Sequence, residues 1–446
     1  MITFTLSEIQ KHLNAIHHGE DVPFTGCSTD SRHITPGCLY IALRGERFDG
    51  HDFINEAATK GAVACIIERA INTPLPTLQV ANTKVALGQL AALWRQQFQL
   101  PTVAITGSNG KTTVKEMVKS ILSQCGHVLA TQGNLNNEIG LPLTLFNLNS
   151  EHRYAVVEMG ANHVGEIQAL THMAQPTVAT ITQCAPAHLE GFGSVERVAQ
   201  AKGEIFSGWL RGTAVINADD NYASVWKALA ASHTIVTFGL QHTADITATN
   251  IHLNVRGSQF TLNTPQGNVD IHLPLLGQHN VINALTATGC ALACGCTLEP
   301  IHQGLHTMQP VEGRLRTYPG IHNSLIIDDS YNANPGSLKA AMQVLSNYPS
   351  PRWLVLGDMF ELGETSKALH EHVAEWAKNM NIDYLWTIGA LAHYTSQKFG
   401  SHALHFEQQD ALIQSLQDKL HEGVTVLIKG SRGMKLEKVV AALRDS

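Results

Sequence analysis

Apolar positions along the chain fall into two alternating rhythms. After the proline-bearing stretch Thr73 to Asn82, Leu87, Leu90, Ala91 and Trp94 recur at the 3.6-residue spacing of an amphipathic helix, which the pattern ends before Pro101. Immediately beyond, TVAITG is a short β-branched run stopped by a glycine, and VKEMVKSIL resumes helical spacing. Strand, glycine loop and helix in that order predict a parallel α/β unit. Further strand-like runs are AVVEM (Ala155 to Met159), TVATIT (Thr177 to Thr182), AVIN (Ala214 to Asn217) and TIVTF (Thr234 to Phe238). Helical stretches separate most of them, so a mostly parallel sheet with both faces covered is expected.

The rhythm breaks again near Glu312-Gly313-Arg314, beyond which SLIIDDS, WLVLGDM, YLWTIG and VTVLIKG alternate with helical patterns. These predict a smaller doubly wound, Rossmann-like domain. The fold class expected is therefore α/β in three domains. Residues 1–82 form a mixed α/β module, 83–313 a central P-loop domain, and 314–446 the last domain.

A length of 446 residues agrees with two to four domains, and 44 % hydrophobic with 15 % charged residues describes a globular chain. The net charge of -7 argues against nucleic acid as a partner, although local cations and backbone N–H groups can still hold phosphates. Met1 to Lys11 lacks the basic start and apolar core of a signal peptide, and no apolar run reaches the roughly 18 residues of a membrane span. Eight scattered cysteines fit a reduced, cytoplasmic protein. Cys290, Cys294 and Cys296 cluster in an alanine-rich stretch, where small buried hydrophobes explain them better than a metal lacking a fourth ligand.

The sharpest chemical motif is Thr106-Gly107-Ser108-Asn109-Gly110-Lys111-Thr112-Thr113 between the strand and the helix. Its glycines let successive N–H groups face a phosphate, Lys111 adds a point charge, and Thr112 can offer its hydroxyl to Mg²⁺. The spacing departs from the common P-loop, since Ile105 stands where its first glycine is expected. Glu158, ending AVVEM, is placed to meet Mg²⁺ or to cap the strand end. His188 follows TVATIT at the carboxyl edge of the sheet, where α/β ligands bind. Lys202 begins an apparently amphipathic helix, and the ordinary reading there is a solvated surface lysine. Asn280 and Asn283 lie at the start of the helix VINALTA, while Arg314 and Asp329 lie on the far side of the second break, as a domain closing over a nucleotide would require.

At this point the chain resembles the Mur ligases. The likeness is carried by STDSRHITPGCLYIALRGERFDGHDFI, TGSNGKTTVKEM, GNLNNEIGLPLTL, VVEMGANHVGEI, APAHLEGFGS, GQHNVINALTA, EGRLR, DDSYNANPGS, LGDMFELG and KGSRGMKLE. GNLNNEIGLP, EMGANHVGEI and DDSYNANP resemble the branch that adds a dipeptide.

The resemblance implies ATP and Mg²⁺ as cofactors, with UDP-N-acetylmuramoyl-tripeptide and D-alanyl-D-alanine as substrates and a monomer as the acting unit. It implies that Lys111, His188 and Lys202 are catalytic, that Thr112, Glu158, His188 and Lys202 serve the metal, and that Lys202 is carbamylated. Asn137, Asn280, Arg314 and Asp329 join Gly107 to Thr113 as nucleotide contacts, Asp329 suiting the ribose or a lysine-paired closure. Ser28, Thr29, Asp30, Ser31 and Arg32, with Gly45, Phe48, Asp49, Gly50 and His51, are implied to hold the UDP-sugar. Another Mur ligase, a folylpolyglutamate-type ligase and a P-loop ATP-binding switch protein stay open as rivals.

Overall fold

The computed structural model describes residues 2–46, 48–186, 189–209 and 211–445. Three larger sheets, of five, six and six strands, follow one another along the chain. The first has five strands in the order Ile16–His18, Thr77–Gln79, Ala64–Ile67, Leu39–Ile41, Cys27–Ser28. The first two run antiparallel and the remainder parallel. Leu6, Ile9, Leu39, Ile41 and Leu87 fill one face, and Tyr40, Ile54, Ala57 and Cys65 the other.

The central sheet has six strands, all parallel, ordered Thr234–Phe238, Thr213–Asn217, Val178–Ile181, Thr102–Thr106, Tyr154–Glu158, Val128–Ala130. Thr102–Thr106 is buried along its whole length, as a strand covered on both faces must be, so it reads as an unbroken apolar run. The helix Lys111–Leu122 and the long helix Gln278–Ala293 cover one face. Helices Thr83–Gln96 and Glu166–Ala174 cover the other.

An element that the sequence pattern did not predict is a three-stranded antiparallel sheet, Thr247–Asn254, Gly257–Thr264 and Gly267–Leu273, inserted between the last central strand and the helix Gln278–Ala293. Phe260, Leu262, Ile271 and Leu273 seat it on the central core.

The last sheet is ordered Arg316–Gly320, Ser324–Asp329, Thr425–Lys429, Arg352–Gly357, Tyr384–Ile388, Ala403–Phe406. Only its edge strand Arg316–Gly320 is antiparallel. Among the described residues no helix is long and apolar enough to cross a membrane.

Candidate active site

Register decides which side chains meet. Glu158 is paired with Ile105 across two parallel central strands, so its carboxylate stands beside the loop that leaves Thr106. That loop bends through Gly107 (φ +145°) and Gly110 (φ +82°), backbone conformations that glycine adopts without strain. A Cβ on Gly107 would collide with the Thr182 hydroxyl, and one on Gly110 would stand 2.7 Å from Asn283 Oδ1. Gly110 caps the helix Lys111–Leu122 without a side-chain bond, leaving the first N–H groups free for an anion at the positive end of the helix dipole.

Lys111 Nζ donates to the Gly107 carbonyl at 2.7 Å, folding back over the loop it belongs to. Burial lowers its ammonium pKa, and Arg314 adds to the effect while Glu158 opposes it. Thr112 Oγ1 donates to Glu158 Oε2 at 2.8 Å, and Asn136 Nδ2 donates to Glu158 Oε1 at 2.8 Å. Both carboxylate oxygens of a buried side chain are thereby fixed, so the residue does more than cap a strand end.

From the far side of the second break, Arg314 Nη2 donates to Thr112 Oγ1 at 2.9 Å while its guanidinium lies 4.3 Å from the Tyr331 ring centre. Asn109 and Asn334 exchange amide hydrogen bonds of 2.7 and 3.3 Å. The C-terminal domain is thus closed onto the phosphate loop. Between them lies a cleft of about 630 Å³ lined by residues 108–113, Asn137, Glu158, Lys202, Asn280, Arg314 and Asp329.

Lys202 is a correction to the sequence reading on two counts. Its helix is Val195–Gly203, capped by the Ser194 hydroxyl, so the lysine sits in the last turn and not at the start. It is also 1 % exposed, with Nζ 5.7 Å from the Phe192 ring centre, instead of being solvated. Burial pushes its amine down to about 7, helped by the Lys111 charge. Among the described residues it forms no ion pair. His188 lies outside the described residues.

Asn137 lines the cleft, but its Oδ1 is occupied by the N–H groups of Ile139 and Gly140, at 3.3 and 2.9 Å. Its neighbour Asn136, which the sequence reading passed over, is the one that reaches Glu158. Adjacent asparagines in GNLNNEIG were the visible signal; which one turns inward depends on backbone direction. Asn280 donates to the Leu276 carbonyl and accepts from Asn283, both at 2.9 Å. Asp329 forms an ion pair with Lys429, its register partner on the neighbouring parallel strand. Burial pushes the Asp329 carboxyl up, against the pull of Lys429. Lys429, Asn334 and Tyr331 were not foreseen as site residues, although all three lie in segments already singled out.

The first-domain set stands apart from this cleft. Ser28 Oγ accepts from the Asp30 N–H at 3.2 Å, Thr29 is half-buried between them, and Arg32 grips Asp30 with 2.9 and 2.8 Å bonds while exposed to solvent. The Arg32 contacts hold the Asp30 carboxyl well below the usual range. Ser31 is buried against Glu56 at 3.0 Å. Phe48 is exposed and packs over Gly45, where a Cβ would stand 2.8 Å from its ring. Gly50 presses against the Leu43 backbone and accepts from the Tyr40 hydroxyl at 3.0 Å. His51 is buried with both ring nitrogens committed: Nε2 accepts from the Glu68 N–H at 2.9 Å, so Nδ1 carries the proton facing Asp49 at 2.5 Å. His51 therefore braces the loop and has no nitrogen left for a ligand.

Three family models match in sequence: Mur ligase family, catalytic domain, over residues 23–95; Mur ligase middle domain over 105–291; and Mur ligase, glutamate ligase domain, over 313–432. The chain is 47 % identical to UDP-N-acetylmuramoyl-tripeptide--D-alanyl-D-alanine ligase of Escherichia coli (strain K12), covering 100 % of this chain and 99 % of the relative. A crystal structure of MurF from Acinetobacter baumannii superposes with a TM-score of 0.92 at 38 % identity, over 99 % of this chain and 98 % of that one. MurF ligase from Thermotoga maritima, solved in complex with ADP, gives 0.83 at 28 % identity over 94 % and 96 %.

Proposed function

The chain belongs to the Mur ligase family, and from that premise we propose that it joins D-alanyl-D-alanine to the terminal carboxylate of UDP-N-acetylmuramoyl-tripeptide, converting ATP to ADP and phosphate. One observation carries the assignment of this cleft to the reaction. Arg314 of the last domain and the phosphate loop of the central domain meet at Thr112, 2.8 Å from Glu158, at the mouth of an anion-binding helix.

The tripeptide carboxylate attacks the γ-phosphorus of ATP; its bond to ADP breaks and an acyl phosphate forms. The dipeptide amine then attacks the acyl carbon, and the tetrahedral intermediate expels phosphate to leave the amide. Both steps spread negative charge over oxygen atoms. Lys111, Arg314 and the N–H groups from Asn109 to Thr113 supply the opposing charge and dipoles, preorganised by the glycines, while the Ser108 N–H is held by the Gln183 carbonyl at 2.9 Å. No nucleophilic side chain is required.

Thr112 and Glu158 form a hard-oxygen donor set that suits Mg²⁺, with Asn136 orienting the carboxylate from behind. Mg²⁺, when bound there, neutralises phosphate oxygens. Lys202, buried in the wall of the same cleft with its amine pushed down to about 7, has the lone pair that reaction with CO₂ needs. Carbamylation forms an N–C bond, releases a proton and leaves an anion facing the cleft. His188 completes the metal set in this reading.

A smaller recess of about 140 Å³ adjoins the cleft through Asn332, Ala333 and Asn334. Phe360 and Leu362 supply walls for two methyl groups and Arg432 a guanidinium for a carboxylate, which supports it as the place of D-alanyl-D-alanine. The first-domain loops around Ser28–Arg32 and Gly45–Gly50 are assigned to the UDP-sugar, in a cytoplasmic reaction.

Incubation with ATP, Mg²⁺, UDP-N-acetylmuramoyl-tripeptide and D-alanyl-D-alanine should give the pentapeptide product with ADP and phosphate in equal amounts. Efficient joining of D-alanine or diaminopimelate in place of the dipeptide would overturn the substrate assignment, and AMP with pyrophosphate would overturn the acyl phosphate.

A further inference from the structure

Away from the cleft, the central domain brings two cysteines from distant parts of the chain into contact. Cys125 follows the end of the helix Lys111–Leu122, and Cys296 lies in the turn between the helices Gln278–Ala293 and Leu298–His306. Their sulfurs are 3.7 Å apart although 171 positions separate them. The first of these helices begins at Lys111 and the second carries Asn280 in its first turn, so the thiols join the ends of two helices whose opposite ends line the ATP cleft.

Packing holds the pair in register. Ser120 Oγ donates to the Gly304 carbonyl at 2.7 Å, and Gly304 lets the helix Leu298–His306 touch the Ile121 backbone. Cys125 is exposed while Cys296 is buried, so one sulfur meets solvent and the other waits beneath it. Cys294, half-buried, is a third thiol in the same neighbourhood, near Tyr154.

We propose that Cys125 and Cys296 form a reversible, hydroperoxide-driven disulfide that staples together the ends of the two helices lying beneath the ATP cleft. Hydrogen peroxide reaches the exposed Cys125 first: the Cys125 thiolate takes one oxygen, the O–O bond breaks, and after protonation a sulfenic acid and water result. Cys296 sulfur then attacks the Cys125 sulfur, displacing hydroxide, which leaves as water with the Cys296 proton. Two thiols lose two electrons in all, and one peroxide becomes two waters. Burial pushes the Cys296 thiol up to about 12, which slows the second step and leaves the sulfenic acid open to trapping. A dithiol restores both cysteines.

The test uses the full-length reduced protein with hydrogen peroxide, followed by alkylation and peptide mapping. A Cys125–Cys296 linked peptide should appear and vanish on treatment with dithiothreitol. C296S should instead accumulate a Cys125 sulfenic acid that dimedone captures, and C125S should give neither product. Oxidised wild type should melt at higher temperature than reduced, because the cross-link constrains a long loop in the unfolded chain, and C125S should show no such rise. A link from Cys296 to Cys294, a link between two molecules through Cys125, or Cys125 trapped by dimedone in wild type with no linked peptide would each overturn the proposal.

Discussion

Burying the Lys202 ammonium without an ion-pair partner among the described residues is unfavourable unless the amine is neutral or has become an anion. Its folded value of about 7 lies below the ordinary 10.5, so between those limits the unfolded chain binds more protons than the folded one. The penalty is therefore fully present below about pH 7 and is relieved as pH rises towards 10.5. For protein prepared free of CO₂, unfolding free energy should climb by up to about 1.4 kcal/mol per pH unit in this window relative to Lys202→Met. Parallel curves for the two proteins, from denaturant titrations at several pH values, would contradict the assignment of that burial cost. If the carbamate serves catalysis, Lys202→Ala should be nearly inactive and partly restored by millimolar short carboxylates. Lys111→Ala tests the phosphate loop: losing its charge at the transferred phosphoryl group should lower the ligation rate by roughly a thousandfold or more, at about 1.4 kcal/mol per decade. Activity within threefold of wild type would remove Lys111 from the reaction. The sequence marked both lysines, but only Lys111 by its own spacing. Lys202 depended on family resemblance, because burial is set by chain segments remote from it.

At the scale of elements, what could be read in advance follows from how each strand is covered. TVAIT and AVVE stood out because parallel strands between helix layers are apolar on both faces, and TIVTF, the half-buried edge strand, by its β-branched and aromatic residues. The antiparallel sheet Thr247–Leu273 escaped notice because Thr247–Asn254 is largely exposed and rich in threonine and asparagine, which reads as loop. The helix bearing Lys202 was misjudged because Ser194, its cap, follows a glycine-rich stretch with no apolar periodicity of its own. Glycines at close approaches give a test of this packing. Gly304→Ala puts a methyl group into the Ile121 backbone, so the helices Leu298–His306 and Lys111–Leu122 must separate. Overpacking of this kind should destabilise the protein by about 1–3 kcal/mol. A denaturation midpoint unchanged from wild type would mean that the seam is looser than its geometry indicates.

For the whole molecule, the three-domain division was visible from breaks in periodicity, whereas the closure was not, since Asn109 and Asn334 meet across 225 positions of chain. Among the described residues, the side-chain hydrogen bonds between the last domain and the phosphate loop are the Asn109–Asn334 amide pair and Arg314 on Thr112. Neither is large, and the cleft between them is where the nucleotide phosphates are expected. An equilibrium between open and closed arrangements should therefore be governed by ligands that touch both sides, each adding free energy to the closed form only. ATP together with UDP-N-acetylmuramoyl-tripeptide should shrink the radius of gyration measured by small-angle scattering. Asn109→Ala removes the amide clasp while leaving Asn334 to cap its own helix Pro335–Leu345 through Ser337, so the last domain stays folded. That variant should need more ATP to reach the compact form and should show a raised KM for ATP. Scattering curves that are identical with and without both ligands, in wild type and variant alike, would mean that closure is not coupled to binding and that Arg314 reaches the loop irrespective of the nucleotide.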